Sequence, residues 1–264
     1  MAAKFKQIMS LFLAIQKMHI KTAFISKPDA FLNFFMMFIN NLCFAFMWWI
    51  LFQDRQTING WNFDDMLIVF AITCNGFAIY ALFFKGTSEM IPAIENGSID
   101  SYLTLPRSPL FMISTSYSTF ANWGDFATGY LAFFVSSYAN FENFLLLNLM
   151  SIYAFMILYG FRLLTSSLAF FASNIDRLSY NLFMTIMIFM HQPPSIFVGW
   201  YKVMFLTIIP AGFLSYLPTQ IIRDFSWMDL LYLNIGCFTF FFGSIWLFYH
   251  GLKRYSSGNR FGIR

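Results

Sequence analysis

Long, uninterrupted apolar stretches run through this chain, and they constrain its fold more than any other feature. Of the 264 residues, 59% are hydrophobic and 11% are charged, whereas soluble domains carry about 25% charged residues. A soluble core of this size cannot bury so much apolar surface, but a lipid bilayer accommodates it. Because the stretches are continuous rather than alternating every second residue, the sequence predicts an all-α integral membrane protein rather than a β-barrel.

Six of these stretches are predicted to cross the membrane. The pair Pro28-Asp29 marks the start of the first, and Trp48-Trp49 places an aromatic belt near its end. The six predicted spans are residues 30–52, 66–84, 111–137, 144–172, 178–191 and 230–250. Since no internal repeat or low-complexity linker divides the chain, we expect residues 1–264 to form one domain.

The N-terminal segment, residues 1–27, is predicted to be a helix that lies in the membrane interface. Lys6, Lys17 and Lys21 recur there at helical spacing, and apolar residues fill the remaining surface. A helix of this kind turns its lysines toward the lipid headgroups. The alternative is a helix on the cytosolic surface of the protein.

Residues 192–228 form the least regular apolar segment. Pro193 and Pro194 stop a helix there, and Pro210 interrupts the apolar residues that follow. The uninterrupted part is short for a membrane span, which needs about 20 residues. The segment is therefore either a seventh span or a re-entrant hairpin that enters from one side.

The distribution of basic residues decides between these alternatives. With six spans and both termini inside, 12 of the 16 basic residues lie on the inner side, and only Arg55, Lys202 and Arg223 lie on the outer side. The cytoplasmic loops of membrane proteins typically carry an excess of lysine and arginine of this kind. A seventh span would place the basic C-terminal tail outside. We therefore expect residues 192–228 to form an outer re-entrant hairpin between the fifth and sixth spans, with both termini cytoplasmic.

Sequence motifs for catalysis and for ATP binding are missing from the chain. It has no GxxxxGK(S/T) phosphate loop, no HExxH zinc motif and no GxSxG nucleophile motif. Its three cysteines lack metal-binding spacing. We therefore expect neither ATP hydrolysis nor a catalytic residue, a metal or a cofactor in this chain itself.

The inner polar loop of residues 85–109 has the most structured sequence outside the spans. Thr87-Ser88-Glu89 is a helix-capping sequence, and Gly97 would end the helix that it starts. Ser98 would cap a second short helix that ends before Pro106. Connections without a function usually have about four to six residues, so we predict a cytoplasmic docking surface, the alternative being an ordinary connection. The residues predicted to form this surface are Glu95, Gly97, Ser98, Asp100, Tyr102 and Pro106.

Two charged residues lie inside predicted spans, Asp125 in the third and Arg162 in the fourth. A charge within the bilayer faces a partner or a water-filled cavity. Because these spans are consecutive and antiparallel, the two residues can form a pair, which is either structural or part of a transport pathway. In the first span, Asn33, Asn40 and Asn41 either line a cavity or bond to neighbouring helices.

The predicted order of elements is similar to that of a known family. An interfacial N-terminal helix, six spans, a cytoplasmic loop after the second span and an outer re-entrant segment before the last resemble the permeases of ABC-2-type transporters. Short strings resemble one bacterial branch of unknown substrate. These strings are IENGSIDSYL at residues 94–103 followed by Pro106, PSIF at 194–197, IPA at 209–211, GLKRY at 251–255 and SGN at 257–259.

This resemblance implies a function and partners. Such permeases work as dimers, with a second copy or a sister permease, and a pair of cytosolic ATPases that binds ATP and Mg²⁺ docks on the coupling loop and the N-terminal helix. Most members with known roles export drugs, lipids, peptides or glycans, and the resemblance implies a place in the bacterial cytoplasmic membrane and no nucleic-acid partner. Abundant Phe and Met favour an amphiphilic or apolar substrate here. An outer gate would include Pro193, Pro194, Phe197 and Pro210.

Two other function classes are weighed against the transporter prediction. One is an intramembrane enzyme that acts on lipids, which needs several polar groups at one depth. The other is a membrane sensor or assembly subunit that transports nothing. The sequence names neither the substrate nor the type of dimer.

Overall fold

The computed structural model describes residues 2–55, 57–58, 60–192 and 210–256. These residues form helices joined by turns and short loops, with no strand among them. The helices are α1 (Ala2–Ala23), α2 (Lys27–Gln53), α3 (Phe63–Phe83), α4 (Met90–Glu95), α5 (Asp100–Leu103), α6 (Pro109–Ser114), α7 (Trp123–Val135), α8 (Phe141–Ser167), α9 (Asp176–Phe189), α10 (Ala211–Leu214), α11 (Tyr216–Arg223) and α12 (Trp227–Leu252).

Within the described part of the chain, four helices are long and apolar enough to cross a membrane. They are α2, α3, α8 with a 3-10 extension to Phe170, and α12. They confirm the first, second, fourth and sixth predicted spans, and every boundary agrees within three residues. Pro28 stands in the first turn of α2, as its place in the sequence predicts.

α3 and α8 form the centre of the bundle. α3 is apolar on every side and buried along most of its length, as expected for a helix without a polar face. Gly76 lets α8 approach closely, because a Cβ atom there would lie 2.6 Å from the Cβ atom of Ala154. By contrast, α2 and α12 expose large apolar side chains, among them Phe35, Phe46 and Trp246. These surfaces are available to lipid or to another membrane helix.

The third predicted span, residues 111–137, is not one continuous helix. α6 ends at Ser114, residues 115–119 leave the helical path, and a 3-10 turn precedes α7. The hydroxyls of Thr115 and Ser116 donate to carbonyls of the preceding turn, and the backbone N–H of Thr119 donates to Ala81 of α3 at 3.2 Å. Serine and threonine compete with helical hydrogen bonds in this way.

The fifth predicted span corresponds to α9, which has only 14 residues. The described part of the predicted hairpin consists of α10 and α11, two short helices whose inner sides are buried against α3, α8 and α12. Pro210 is buried and precedes α10, whereas Pro193, Pro194 and Phe197 lie outside the described residues. The six-span topology, the re-entrant path and the outer gate therefore stay predictions.

α1 packs loosely against the bundle. The ring of Phe12 lies 5.8 Å from that of Phe83, and Nε2 of His19 lies 3.0 Å from the carbonyl oxygen of Thr115. The remaining surface of α1 exposes apolar side chains such as Phe5 and Leu13. An amphipathic helix with an uncovered apolar side fits the predicted interfacial position.

Candidate functional site

A cavity of about 350 Å³ lies between α2, α3, α7 and α9, and we call it the central cavity. Asn40 and His191 lie on its wall, and His191 is bonded to Thr73. Asn40 and Thr73 are the middle residues of α2 and α3. The cavity is therefore at half the height of the two long helices. Its apolar lining includes Met37, Phe44, Phe70, Phe77, Met184, Met187 and Met190.

Two helices end at this height. α7 begins there, after the break in the third predicted span, and α9 ends at Phe189, just before the cavity residues Met190 and His191. The start of a helix carries a partial positive charge and its end a partial negative charge. Asp125 stands in the first turn of α7, where a carboxylate is favoured.

Asp125 is buried, with 2% of its surface exposed. The amide nitrogen of Asn41 donates to its Oδ1 at 2.6 Å, and the amide nitrogen of Asn122 donates to its Oδ2 at 2.6 Å. An ionised carboxylate only accepts hydrogen bonds, and these two neutral donors match it. Asn41 therefore both lines the cavity and bonds to a neighbouring helix, the two roles that were open for it from sequence.

The hydrogen bonds around His191 indicate the tautomer that is protonated at Nδ1. The hydroxyl of Thr73 donates to the carbonyl oxygen of Val69 at 2.7 Å, so its oxygen accepts from Nδ1 of His191 at 3.1 Å. Nε2 of His191 is then the hydrogen-bond acceptor of the neutral ring. Phe70 stacks on the imidazole at 5.1 Å and Phe44 lies 5.6 Å from it.

Arg162 and Asp125, which the sequence suggested as a possible pair, do not form an ion pair in the structure. Arg162 is buried and donates to the carbonyl oxygen of Ser88 and to the hydroxyl of Ser179, each at 3.1 Å. Its guanidinium carbon lies 5.5 Å from the centre of the Phe183 ring. The break before α7 turns Asp125 toward α2, while Arg162 faces α9 and the loop of residues 85–109.

The start of that loop is fixed to the spans. The hydroxyl of Ser166 donates to the carbonyl oxygen of Thr87 at 3.2 Å, and the hydroxyls of Tyr80 and Thr87 lie 3.2 Å apart. Gly86 packs so tightly that a Cβ atom there would overlap the carbonyl oxygen of Ile113. The start of the loop is therefore attached to α3, α6 and α8.

Lys85, at the start of the loop, is partly buried. Its Nζ donates to the hydroxyl of Thr119 at 2.7 Å and lies 5.5 Å from the centre of the Tyr117 ring. Burial lowers the pKa of Lys85, and the charges of Glu89 and Asp125 oppose this shift. The ammonium group of Lys85 is thus held by the broken segment before α7.

The helices of the loop follow in the predicted order, with two differences. Thr87, Ser88 and Glu89 lie in a 3-10 turn, and α4 begins at Met90 without a side-chain cap. Gly97 has φ of +79° and follows the end of α4, as its sequence predicts. Ser98 does not cap the next helix, because α5 begins after Ile99 without a side-chain cap. The side chain of Asn96 instead accepts from the backbone N–H of Ser98 at 2.9 Å and fixes the turn.

The residues predicted to form the docking surface lie around this turn. Ser98 and Pro106 are exposed, and Asp100 and Tyr102 are half-buried. Glu95 is tied to the end of the fourth predicted span, because its Oε1 accepts from the backbone N–H of Asn174 at 3.2 Å. A groove of about 570 Å³ separates the end of the loop from α1 and is lined by Gln7, Ile8, Leu11, Leu105, Pro106, Arg107, Ser108 and Phe111.

A polar cluster at the opposite end of the bundle was missed from sequence. The carboxylate of Asp65 is fully buried, and its Oδ1 lies 3.2 Å from Nε of Arg223. Tyr138 donates to the same oxygen at 2.8 Å, while Asn62 and Asp65 form a capping box at the start of α3. The spacing of Asn62 and Asp65 signals the cap, but nothing in the sequence signals the ion pair with Arg223.

Comparison with known proteins finds one family whose model matches most of the chain. Residues 34–258 match the family described as ABC-2 family transporter protein. No curated protein and no solved structure matches the chain. The matched range includes the loop of residues 85–109 and every residue that lines the central cavity.

Proposed function

Since this chain belongs to the ABC-2 family of transporter proteins and is therefore a multi-pass transmembrane subunit of a transporter, we propose that a separate ABC ATPase drives it to export an amphiphilic or apolar substrate. The chain itself would bind no ATP. It would lie in the bacterial cytoplasmic membrane with both termini on the cytoplasmic side.

The observation that carries this proposal is the fixed connection between the coupling loop, residues 85–109, and the central cavity. Arg162 holds the loop at Ser88 and holds α9 at Ser179. α9 in turn supplies Met184 and Met187 to the wall of the cavity. Packed and hydrogen-bonded groups thus connect the loop to a wall of the cavity, and a force applied to the loop would be transmitted along them.

The docking surface for the ATPase would be the exposed part of the loop. Ser98, Leu105 and Pro106 are exposed there. The groove between Pro106 and Ile8 adds an apolar concave surface beside α1. An amphipathic segment of a cytosolic partner fits such a groove.

Transport would require two permease subunits, either two copies or this chain with a sister permease. ATP-driven closure of the ATPase pair would press on residues 87–106 and shift the halves between inward-facing and outward-facing states. Substrate would then pass along the interface between the subunits, and the predicted hairpin would gate the outer end. The exposed apolar sides of α2 and α12 offer surfaces for that interface.

Affinity purification of the tagged chain in mild detergent, with mass spectrometry of the bound proteins, tests the partner. We expect a soluble ATPase, with or without a second permease. Recovery of the chain alone from several detergents, and again after crosslinking in intact membranes, would contradict the proposal.

A coupling variant tests the docking surface. Asp100→Lys combined with Tyr102→Ala should reduce substrate-stimulated ATP hydrolysis of the reconstituted complex without preventing membrane insertion. Glu142→Lys is the matched control, because Glu142 is also exposed but lies at the start of α8, at the other end of the bundle. Equal ATP hydrolysis in both variants and the parent chain would exclude this surface.

A lipid-acting enzyme is the second candidate, because the cavity brings Asp125 and His191 together. Their hydrogen bonds go to Asn41, Asn122 and Thr73 rather than to each other, so the pair does not form an activated nucleophile and base. Turnover of purified lipid without any ATPase, abolished by Asp125→Asn, would favour the enzyme.

A further inference from the structure

The central cavity contains a carboxyl group, that of Asp125, which makes no ion-pair contact with a basic side chain among the described residues, although its charge interacts with that of Lys85 at longer range. Asp125 has no lysine or arginine nitrogen within 4 Å in the part of the chain that the structure describes. Its two donors, Asn41 and Asn122, are neutral amides. Arg162 bonds to Ser88 and Ser179 instead. An ionisable group inside a membrane protein that faces a cavity is a candidate for ligand binding.

Two further polar features of the cavity are acceptors, while the amides of Asn40 and Gln192, which also line it, can donate or accept. Nε2 of His191 accepts, because Nδ1 carries the ring proton toward Thr73. The end of α9 adds the partial negative charge of its last carbonyl groups, at Phe189 and the turn that contains Met190. A helix that ends at the middle of a membrane protein favours a cation at that end.

The apolar lining suits an organic cation better than a metal ion. Phe44, Phe70 and Phe77 present aromatic rings, whose faces attract ammonium groups. Met184 and Met187 add flexible, polarisable side chains that adapt to different shapes. At about 350 Å³ the cavity has the volume of a small-molecule site.

The cavity also has a lateral opening, between α2 and α9. Asn40 of α2 and Met184 and Ile188 of α9 line it and are themselves exposed, with 63% of the Ile188 surface accessible. Its mouth among the described residues therefore lies between α2 and α9, at half the height of α2. A ligand with an apolar tail would enter there, with its tail outside and its charged group toward Asp125.

We propose that the central cavity is a binding site for the ammonium group of a cationic amphiphile, with Asp125 as its counter-ion. As the substrate site, it rests on the proposed transport function, and it narrows the substrate class from amphiphiles in general to cationic ones. The ammonium group belongs either to a free amphiphilic amine or to the headgroup of a lipid.

A matched pair of probes tests the charge. Benzyltrimethylammonium and its neutral carbon isostere, neopentylbenzene, have the same shape, and they differ in one unit of charge. Binding to the purified full-length chain is measured by equilibrium dialysis in a neutral detergent, without ATPase. We expect the cation to bind and the isostere to bind at least about ten-fold more weakly, because a desolvated charge pair contributes that much. Equal affinity for both probes would overturn the proposal.

Substitution of the counter-ion is the second measurement. Asp125→Asn should weaken cation binding about ten-fold or more and leave binding of the isostere unchanged. Glu142→Gln, which removes an exposed carboxylate remote from the cavity, should change neither. Unchanged cation affinity in a folded Asp125→Asn variant would also overturn the proposal.

A third measurement does not depend on the folding of that variant. Cys74 lines the cavity, whereas Cys43 and Cys237 do not. In a chain with Cys43→Ser and Cys237→Ser, the cation should slow modification of Cys74 by methyl methanethiosulfonate, and the isostere should not. No protection by the cation, or equal protection by both probes, would contradict the site.

The source of the ammonium group is distinguished by competition. Dihexanoylphosphatidylcholine carries the same quaternary group on a phospholipid, so its displacement of the cation would indicate a lipid headgroup, and failure to displace it a free amphiphile. All of these tests use the permease alone. Failure here therefore leaves ATPase-driven transport standing, while absence of an ATPase partner leaves the binding result standing.

Discussion

Asn41 and Asp125 join α2 to α7 through a hydrogen bond of 2.6 Å between the amide nitrogen of one and Oδ1 of the other. Both residues are buried, with 8% and 2% of their surfaces exposed. α2 is otherwise largely exposed. The second oxygen of Asp125, Oδ2, accepts a hydrogen bond from Asn122, which lies three residues earlier in the same segment. The bond to Asn41 is therefore a polar contact that holds α2 at the level of the central cavity.

Asn41→Leu should destabilise the protein by about 1–3 kcal/mol, because it leaves one oxygen of a buried carboxylate without its donor. The measurement is the midpoint of thermal unfolding in detergent. Asn40→Leu is the control, since Asn40 is the adjacent amide on the same helix but is exposed. A loss of stability as large in Asn40→Leu as in Asn41→Leu would contradict the role of the bond.

Gly124→Ala should also separate α2 from α7. A Cβ atom at Gly124 would lie 2.8 Å from the carbonyl oxygen of Phe34 and 2.9 Å from the backbone nitrogen of Phe38, and neither backbone atom moves without shifting α2. We expect a loss of about 1–3 kcal/mol in unfolding free energy, as for other overpacked sites. Thermal unfolding in detergent measures it.

Gly243→Ala is the matched control for this change. A Cβ atom there would meet nothing within 4 Å, and alanine favours a helix over glycine by up to about 1 kcal/mol. The control should therefore leave stability unchanged or raise it. A Gly124→Ala variant as stable as Gly243→Ala would show that the contact between α2 and α7 relaxes freely.

The sequence alone was sufficient to predict the positions of the long helices, but it was not sufficient to predict the breaks between helices. Hydropathy is a local property, so the bounds of α2, α3, α12 and of α8 with its 3-10 extension to Phe170 were predicted within three residues. The break before α7 depends on Thr119, whose backbone N–H finds its acceptor on Ala81 in another helix. The run of serine and threonine from Ser114 to Thr119 is a signal that average hydropathy conceals.

The site was predicted only in part for the same reason. Asp125 and Arg162 were recognised as charges inside spans, but the expectation of a pair assumed two straight antiparallel helices. The break changes what Asp125 faces, and its actual partner, Asn41, lies 84 residues away in the sequence. His191 reaches the cavity because α9 stops early, which periodicity alone does not show.

Substitution of Arg162 should affect the coupling of ATP hydrolysis to transport more than it affects insertion of the chain into the membrane. Arg162→Gln removes the charge and the bonds to Ser88 and Ser179, so the coupling loop and α9 lose their link. We expect substrate-stimulated ATP hydrolysis of the reconstituted complex to fall about five-fold or more, the usual range of coupling between sites. The basal rate, measured in the same assay, should be retained.

Arg177→Gln is the matched control, because Arg177 is an exposed arginine in the first turn of α9. It should behave like the parent chain. If Arg162→Gln retained full stimulation, the path from loop to cavity would have to run through other contacts, such as that of Ser166 with Thr87.

Because of Tyr138, the contribution of the cluster around Asp65 to the stability of the protein depends on pH in the alkaline range. Burial, together with the hydrogen bond to Asp65 and the charge of that residue, raises the pKa of the Tyr138 phenol to about 12. The ordinary value is about 10. Between about pH 10 and pH 12 the folded protein keeps a proton that the unfolded chain has released, so stability decreases as pH rises through this window. Below pH 10 the contribution is fully present.

Tyr138→Phe should therefore make the midpoint of thermal unfolding less dependent on pH between about 10 and 12 than it is in the parent chain. Near pH 8 the variant should be less stable than the parent, because Asp65 loses a donor to its buried carboxylate. Tyr232→Phe is the control, since 56% of the Tyr232 surface is exposed, and its pH profile should follow that of the parent. If the midpoint of thermal unfolding depended on pH in the same way in Tyr138→Phe and in the parent, the contact with Asp65 would not raise the pKa of the Tyr138 phenol.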